Sequence, residues 1–436
     1  MTTAMGAALR RIQLGNALSA FGNGFTVPFL FIYVSQVRNL GASTAGIVLA
    51  TFAVAALIVL PLTGRVIDRR GPLPVAIAGT VSAAMGSMGL GLADSQSLVV
   101  AAAAALGAGI AVIQPSLATM IVWCSTPATR SRAFAMQFFL NNLGLGVGGL
   151  LGGQLVDTSN PSSFVRLFAI ESVMFLVLGA AIATVRLPKV PKVEDAVPTD
   201  ASAKGGWRTL LADRAMVQLC VLGFVMFFAC YGQFESGLAA FAVEVTRISP
   251  ATLGIALAAN TAAIVLAQFV VLKLVERRRR SRVIALVGLI WTVAWIAAGV
   301  SGLVPGAHGV ATALLISTYA LFGIGESMLS PTMAPLVADL APARLVGQYN
   351  SAFALVKQLA LAVGPAVGGL MAGGGMYVAY IVMLVVCSLG ISALALRMGR
   401  RLTPAQEIPP RMSVPRTEVV DAAVVVGETE RMPVSA

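Results

Sequence analysis

Three ionisable residues, Glu235, Glu326 and Lys357, lie inside long apolar runs in the C-terminal half of this 436-residue chain. A charged side chain in hydrocarbon costs about 2.5–3.5 kcal/mol on insertion scales, so one that is kept there is a functional candidate. Tyr231 and Glu235 are one helical turn apart and share a face, as a pair that handles a proton or a cation would need. We therefore take these four residues as the candidates for proton and ligand chemistry.

The surroundings of these candidates leave alternatives open. The run that holds Glu326 also contains Pro331 and Pro335, which interrupt a helix and free backbone groups that can line a cavity. A lone Lys357 in an apolar helix must pair with a carboxylate, lose its proton or face water. The alternative for Glu235 is a helix end, where its carboxylate reaches water without a functional role.

Other polar residues within apolar runs are interpreted as structural. Arg166 and Glu171 lie near the outer end of the sixth run on different helical faces, and we interpret them as interfacial residues. Interhelical hydrogen bonding is the commoner role of neutral polar residues in such runs, and ligand contact is secondary. The residues concerned are Asn16, Asn23, Gln137, Asn141, Asn260 and Gln268.

Apolar runs of membrane-spanning length recur along the whole chain and must position these residues. Hydrophobic residues make up 58% of the sequence and charged residues 11%, and about 20 apolar residues cross a bilayer as a helix. Backbone groups in lipid must pair within their own segment, and the alternation of a barrel strand is absent, so the runs are helices. The sequence predicts an all-α membrane protein with twelve transmembrane helices, at approximately 13–36, 44–66, 73–93, 97–121, 133–156, 164–186, 214–240, 251–273, 283–304, 309–333, 348–372 and 376–397.

The net charge of +12 is distributed unevenly along the chain. If the N-terminus is cytoplasmic, every Lys and Arg lies on the cytoplasmic side except Arg38, Arg166, Arg247 and Lys357. This asymmetry follows the positive-inside rule and predicts a multi-pass protein of the cell membrane with both termini in the cytoplasm. The basic residues orient the chain in the lipid bilayer, and we expect no nucleic-acid partner.

The two halves of the chain are similar in sequence. Residues 44–50 align with 252–258, and the glycine and proline pattern of 107–115 recurs at 323–331. Each half has an even number of helices, so the halves are parallel repeats, an arrangement that places a binding site at the membrane midplane between them. The predicted regions are an N-terminal six-helix bundle at 1–187, a cytoplasmic linker at 188–212, a C-terminal six-helix bundle at 213–400 and a disordered cytoplasmic tail at 401–436.

A charged octapeptide between the second and third runs is predicted to form a tight turn at a membrane face. Its Gly64, Asp68, Arg69 and Gly71 match the motif Gly-x-x-x-Asp-Arg-x-Gly-Arg-Lys, with Pro72 and Leu73 in place of the final basic pair. At these residues the chain resembles the major facilitator superfamily, over essentially residues 10–400. The resemblance implies two pseudo-symmetric six-helix bundles and a charge relay in which Asp68 and the arginines clamp them in an outward-facing state. A neighbouring helix N-terminus is another donor that Asp68 could use. The simpler alternative is a turn held by glycine and oriented by positive charge.

Glycine patterns occur at equivalent places in the two halves. The pattern in the fifth run resembles the superfamily's exporter-associated motif, and in both runs the spacing allows close backbone contact with a neighbouring helix and a bend during motion. Ordinary small-residue packing is the alternative, and repetition of the pattern favours a moving interface. The residues are Gly144, Gly148 and Gly152 in the fifth run and Gly364, Pro365 and Gly368 in the eleventh.

The resemblance also sets the functional expectation. It implies a secondary active transporter, and we expect proton-coupled efflux of a small hydrophobic or amphiphilic molecule by alternating access. Tyr231, Glu235, Glu326 and Lys357 are then the residues that couple the proton to the substrate. The alternatives are a metabolite symporter or uniporter and, from another class, a non-transporting membrane receptor or a lipid-handling scaffold.

Other classes of chemistry are not expected. The four cysteines have no ligand-like spacing and the single His308 lies in a short outer loop, so no metal site is predicted. No nucleotide-binding loop and no pairing of a nucleophile with a base occur in the sequence. We therefore expect a monomeric protein without a cofactor and without enzymatic activity.

Overall fold

Twelve membrane-spanning helices form the structure, a computed structural model that describes residues 3–157, 160–188, 206–234, 236–275, 278–304 and 306–408. The prediction of an all-α protein with twelve spans is confirmed. The helices are α1 (Thr3–Thr26), α2 (Gly41–Arg70), α3 (Pro72–Leu92), α4 (Gln96–Trp123), α5 (Pro127–Leu155), α6 (Pro161–Ala183), α7 (Arg214–Ala229), α8 (Pro250–Val275), α9 (Arg280–Ser301), α10 (His308–Leu329), α11 (Val346–Gly373) and α12 (Tyr377–Gly399).

Three of the spans are interrupted. The α1 span continues after Thr26 through a 3₁₀ turn and a π-helical segment to Val37. The α7 span resumes as a helix at Gly237–Glu244, and the α10 span resumes at Met333–Leu340. The break after α10 lies at Pro331, one of the two prolines that predicted it, because proline removes a backbone donor and clashes with the preceding turn. Pro335 lies in the first turn of the helix that follows, where proline is tolerated.

The turn between α2 and α3 is shorter than the predicted octapeptide turn. Helix α2 runs to Arg70, and Gly71 is the single residue between it and Pro72, the first residue of α3. Arg69 and Arg70 extend the helix because positive charge is favourable in its last turn. Gly71 then ends it with φ of +85°, a backbone conformation that glycine adopts without strain. Asp68 therefore projects from a helix and not from a flexible loop.

The helices form two pseudo-symmetric six-helix bundles, α1–α6 and α7–α12, each with its own apolar core. In the first bundle, Tyr33 packs against Phe164 and Phe168. In the second, Phe322 packs edge-on against Trp295, which in turn contacts Tyr380. The outer surfaces expose large apolar side chains, as hydrocarbon requires; Leu266, Leu370 and Val378 are each more than 70% exposed.

The predicted linker and tail are described only in part. Residues 189–205 and 409–436 lie outside the described residues. A short helix at Gly206–Ala212 precedes α7, and the Trp207 indole N–H donates to the carbonyl of Pro61, 3.2 Å away. The first residues of the predicted disordered tail are folded, because the buried Glu407 accepts hydrogen bonds from Ser281.

Candidate functional site

Asp68 joins the two bundles at one membrane face. We call this the basic face; it carries the turns that follow α2, α4, α8 and α10, with their arginines. The Asp68 carboxylate accepts the backbone N–H of Gly347 at 2.7 Å and both the backbone N–H and the side-chain amide of Gln348, at 3.1 and 3.0 Å. Gly347 and Gln348 belong to the first turn of α11, whose unpaired N–H groups and dipole favour an anion. Asp68 is therefore held by the N-terminus of a neighbouring helix, which is the second donor that the sequence analysis considered. The neighbouring Arg69 is exposed.

Gly64 makes this contact sterically feasible. It lies one turn before Asp68, and a Cβ atom at this position would be only 2.6 Å from the Cα of Gln348. Glycine therefore lets α2 and α11 approach closely enough for the Asp68 carboxylate to reach the N–H groups.

A second polar contact between the bundles lies on the same face. Asp339, near the end of the α10 span, forms an ion pair with Arg130 of α5 and another with Arg280 of α9 at 2.7 Å. Arg280 is 1% exposed and also donates to the carbonyl of Gln406. The pair with Arg130 joins the two bundles, whereas the pair with Arg280 lies within the second. Sequence reasoning missed this network, although its charged residues stand near helix ends, which is a detectable signal.

Hydrogen bonds from neutral side chains add to this closure. Ser330 donates to the carbonyl of Phe134 at 2.9 Å, and Asn350 donates to the Thr119 hydroxyl at 3.3 Å. Hydrogen bonds between the bundles thus gather near the basic face. The conformation is closed at that face.

The glycines of α5 face α1 along a single line. A Cβ atom at Gly144 would meet Ala17, at Gly148 it would meet Phe21, and at Gly152 it would meet Phe25. The corresponding contact in the second bundle is between Gly364 of α11 and Gly232, beside the break of the α7 span. At these glycines both patterns therefore mediate close packing inside a bundle, between α5 and α1 and between α11 and the α7 span, and not between the two bundles.

Pro365 and Gly368 lie in the same part of α11. Pro365 is inside the helix and exposed. A Cβ atom at Gly368 would be 2.7 Å from the Gln233 side chain. Gln233 donates to the carbonyls of Phe228 and Gly364 and accepts the Tyr380 hydroxyl. This buried amide pairs with the carbonyl of Phe228 at the α7 break and links the break to α11 through the carbonyl of Gly364.

Glu326 lies at the centre of a polar cluster in the second bundle. It is 3% exposed, and its Oε1 accepts the amide of Asn260 on α8 at 2.9 Å. The Tyr231 hydroxyl interacts with the same carboxylate from the α7 break. The same Asn260 amide also donates to the carbonyl of Tyr319, which fixes its orientation. Asn260 therefore makes the interhelical hydrogen bond that the sequence predicted.

Lys357 approaches this cluster from α11. Its ammonium group lies 5.5 Å from the ring centre of Phe227 and 5.8 Å from that of Tyr231, within the range of cation–π attraction. It also interacts electrostatically with Glu326. The Lys357 side chain is exposed, unlike that of Glu326. Lys357 lies about 17 Å along α11 from Val346, at 1.5 Å per residue, and so is deep within the membrane-spanning helix. It therefore projects into the space between the bundles.

Three of the four candidates thus come together from α7, α10 and α11. The fourth, Glu235, lies outside the described residues. Aromatic rings cover the cluster: Phe234 packs at 5.4 Å from both Tyr319 and Phe322, between ring centres. The cluster offers a carboxylate, a phenol and an ammonium group in an apolar setting.

A smaller set of polar side chains lies at the corresponding depth in the first bundle. Asn16 donates to Asn141 at 3.2 Å, an interhelical hydrogen bond of the kind predicted for these residues. Asn23 and Gln114 line the same small cleft. Gln114 is exposed and missed by sequence reasoning, because a single glutamine in an apolar run gives a weak signal.

The interfacial interpretation of Glu171 is wrong. Glu171 is midway along α6 and 1% exposed, whereas Arg166 is exposed on another face. Its Oε2 lies 2.6 Å from the Ser87 hydroxyl of α3. Deeply placed carboxyl groups are therefore not confined to the C-terminal half. Only helix packing turned this side chain towards the interior.

Metal-ligating chemistry finds no support in the described ranges. Within them, no group of three or more His, Cys, Asp or Glu side chains is arranged to hold a metal ion. The four cysteines are free. They pack among apolar side chains.

The fold and the polar cluster between transmembrane helices define a multi-pass membrane transport protein. The sequence model of the Major Facilitator Superfamily matches residues 12–247 and 236–425, and the chain belongs to this superfamily. Its members are transporters rather than enzymes, in agreement with the prediction.

Relatives and solved structures support the same assignment. The uncharacterized MFS-type transporter YhjO of Bacillus subtilis (strain 168) is 22% identical over 388 residues, 88% of this chain and 92% of that protein. Multidrug resistance protein 2 of the same organism is 28% identical over 147 residues, 33% of this chain and 36% of that protein. The E. coli fucose:proton symporter FucP has a TM-score of 0.71 at 13% identity, covering 91% of this chain and 99% of that one. The human organic anion transporter MFSD10 has a TM-score of 0.66 at 16% identity, covering 92% and 99%.

Proposed function

We propose that this protein is a proton-coupled exporter of a small hydrophobic or amphiphilic molecule and works by alternating access. The observation that carries the proposal is the meeting of Tyr231, Glu326 and Lys357 from three helices of one bundle. A scaffold or receptor would gain nothing from charges placed within transmembrane helices, which only cost stability in a membrane. Export is supported by the partial similarity to multidrug resistance proteins 1 and 2 of Bacillus subtilis.

Glu326 is the proton carrier in this mechanism, and Lys357 is its electrostatic partner. When Glu326 is ionised, Lys357 compensates its charge; when Glu326 is protonated, the ammonium group is left without that counter-charge. A proton therefore changes the charge that the cluster presents to a substrate in the cavity. Glu235, four residues after Tyr231, is proposed to share the coupling role.

The protein is proposed to lie in the cell membrane as a monomer, with both termini in the cytoplasm. The uneven distribution of Lys and Arg supports this orientation, and the bacterial relatives support the location. The basic face is then cytoplasmic, and closure there corresponds to an outward-facing state. The Asp68 contact with the first turn of α11 is the proposed clamp of that state, with Gly64, Arg69 and Gly71 as the rest of its motif.

Uptake of an anionic amphiphile together with a proton is a second candidate function. Its specific support is the exposure of Lys357 beside the buried Glu326, since an anion could reach the ammonium group while the proton neutralises the carboxylate. Proton and anion would then bind cooperatively, which is the logic of symport. A fucose:proton symporter and an organic anion transporter among the structural neighbours are consistent with this alternative.

Transport in reconstituted vesicles of known orientation tests the proposal. In antiport, an amphiphilic dye should accumulate against its gradient in the acidic compartment, because protons leave that compartment as the dye enters. In symport, the dye should leave the acidic compartment together with protons and accumulate on the other side. Glu326→Gln should abolish accumulation driven by a pH difference and leave downhill exchange measurable. The matched control is Glu244→Gln, an exposed carboxylate at the end of the α7 span. Proton-driven accumulation by the Glu326→Gln protein would overturn the coupling role.

A further inference from the structure

Glu171 is a deeply buried carboxyl group that the coupling cluster does not use. It lies in the first bundle, where α6 packs against α1 and α3. A Cβ atom at Gly22 of α1 would be 3.1 Å from the Cα of Glu171, so the two helices are in backbone contact here. On the other side, Ser172 donates to the carbonyl of Ala84 on α3 at 2.9 Å. The carboxyl group is therefore enclosed by three helices.

The hydrogen bonds of this carboxyl group favour the protonated form. The Ser87 hydroxyl lies 2.6 Å from Oε2 of Glu171 and 2.9 Å from the carbonyl oxygen of Phe168. A hydroxyl has one proton and can fully satisfy one of two acceptors. If the carboxyl group is protonated, it donates to Ser87 and Ser87 donates to Phe168, so both contacts are hydrogen bonds.

The second carboxyl oxygen leads to the same result. Oε1 of Glu171 is buried and accepts no hydrogen bond of normal geometry, because the nearby Thr26 hydroxyl donates to the carbonyl of Asn23. A carboxylate would carry charge on this oxygen without solvation, whereas in a neutral acid it is an unpaired carbonyl with a much smaller penalty. Glu326 differs, because its carboxylate accepts a hydrogen bond from the Asn260 amide and has Tyr231 and Lys357 beside it.

No cation in the described part of the chain compensates Glu171. Within α1, α3, α5, α6 and their described flanks, no hydrogen bond or ion pair connects it to a charged residue. Arg11 donates to Thr184, Arg38 to Tyr33 and Gly91, and Arg130 to Asp339. The titratable and charged groups on these elements and their described flanks are Arg10, Arg11, Tyr33, Arg38, Asp94, Arg130, Arg132, Asp157, Arg166 and Arg186.

We propose that Glu171 is a second proton-binding site, separate from Glu326. In the conformation closed at the basic face it is protonated and donates a hydrogen bond to the Ser87 hydroxyl. The interrupted part of α1 controls access to this site. Thr26, one turn after Gly22, is the last residue of α1 proper and interacts with the carboxyl group. Beyond it, the buried Tyr33 packs at a tilt against Phe168 of α6, with ring centres 4.9 Å apart. Movement of residues 27–37 would uncover the carboxyl group and allow exchange of its proton.

Infrared difference spectroscopy on the purified full-length protein tests the site without any transport assay. The wild type at neutral pH should show the carbonyl band of a protonated carboxylic acid that is missing from Glu171→Gln. The same band should shift in Ser87→Ala, because the acid loses its hydrogen-bond acceptor, and it should persist in Glu326→Gln. The glutamine is isosteric and can still donate to Ser87, so the variant is expected to fold.

Deuterium exchange tests the role of α1. The Glu171 band should exchange faster in Tyr33→Ala than in the wild type, because the ring that covers α6 is removed. Identical spectra for the wild type and Glu171→Gln would overturn the proposal. Loss of the band in Glu326→Gln, with retention in Glu171→Gln, would assign the proton to the coupling cluster instead. Failure of the transport proposal alone would leave this spectroscopic result unchanged.

Discussion

The Asp68 carboxylate accepts the backbone N–H of Gly347 at 2.7 Å, although the two residues belong to different bundles. Gly347 lies in the first turn of α11, so the contact exists only when α2 and α11 are close at the basic face. A hydrogen bond to a charged group contributes about 1.5–3 kcal/mol. Asp68 and its partners therefore bias the protein towards closure at this face.

Asp68→Asn should shift the protein away from this closed state. Asparagine keeps one acceptor oxygen, but its NH₂ group faces donors and the charge on the helix N-terminus is lost. A loss of about 1.4 kcal/mol changes an equilibrium tenfold, so a shift of that order or larger is expected, with a lower transport rate. Spin labels at the exposed Arg132 and Arg282, one on each bundle, should report a longer distance across the basic face.

Asp94→Asn is the matched control for this experiment. Asp94 is an exposed carboxylate in the turn after α3, at the opposite face. It should leave both the label distance and transport unchanged. Unaltered distance and transport in well-folded Asp68→Asn protein would show that the residue only shapes a turn.

The two arginines of Asp339 should have different effects when they are replaced. Arg130→Gln removes the ion pair between bundles, so the label distance across the basic face should increase while Asp339 keeps its pair with Arg280. Arg280→Gln breaks a buried pair inside one bundle and is expected to cost about 3–5 kcal/mol of stability. Thermal unfolding in detergent measures the second effect, with the exposed Arg282→Gln as control. Equal loss of stability in Arg130→Gln and Arg280→Gln would contradict this division.

Gly148→Leu and Gly364→Leu should each block transport for a steric reason. A Cβ atom at Gly364 would be 2.7 Å from the Cα of Gly232, and a side chain at Gly148 would meet the backbone of Phe21. The control is Gly369→Leu, because no atom lies within 4 Å of a Cβ at that position. Alanine variants at Gly148 and Gly364 show whether a transport defect comes from blocked helix motion or from misfolding. The measurements are the expression level and the size-exclusion elution profile of each variant. Transport at wild-type rate by both leucine variants would refute close packing at these positions.

Lys357→Gln should change the preference for substrate charge. If the ammonium group meets the substrate, competition by an anionic amphiphile should weaken at least tenfold, whereas a neutral amphiphile of similar size should compete as before. Lys357→Arg keeps the charge and should retain most of the preference for the anion. An unchanged ranking of anionic and neutral competitors in Lys357→Gln would restrict Lys357 to its role beside Glu326.

Much of the organisation follows from the sequence because its signals are local. The length and hydrophobicity of each run define a span, and the distribution of Lys and Arg predicts its orientation. The repeat predicts two parallel bundles, and the cost of charge in hydrocarbon identified Glu326 and Lys357 as candidates. The motif that begins at Gly64 was recognised for the same reason, since its spacing is contained in a single stretch of chain.

The tertiary structure decided which side chains meet. Asp68 pairs with Gly347 and not with a neighbouring arginine, and Glu326 pairs with Asn260, because these contacts depend on how separate helices are rotated about their axes. The same rotation turns Glu171 towards Ser87 and away from the membrane interface. A sequence determines the apolar character and length of each helix, but the face that each helix presents is set by the packing of all twelve.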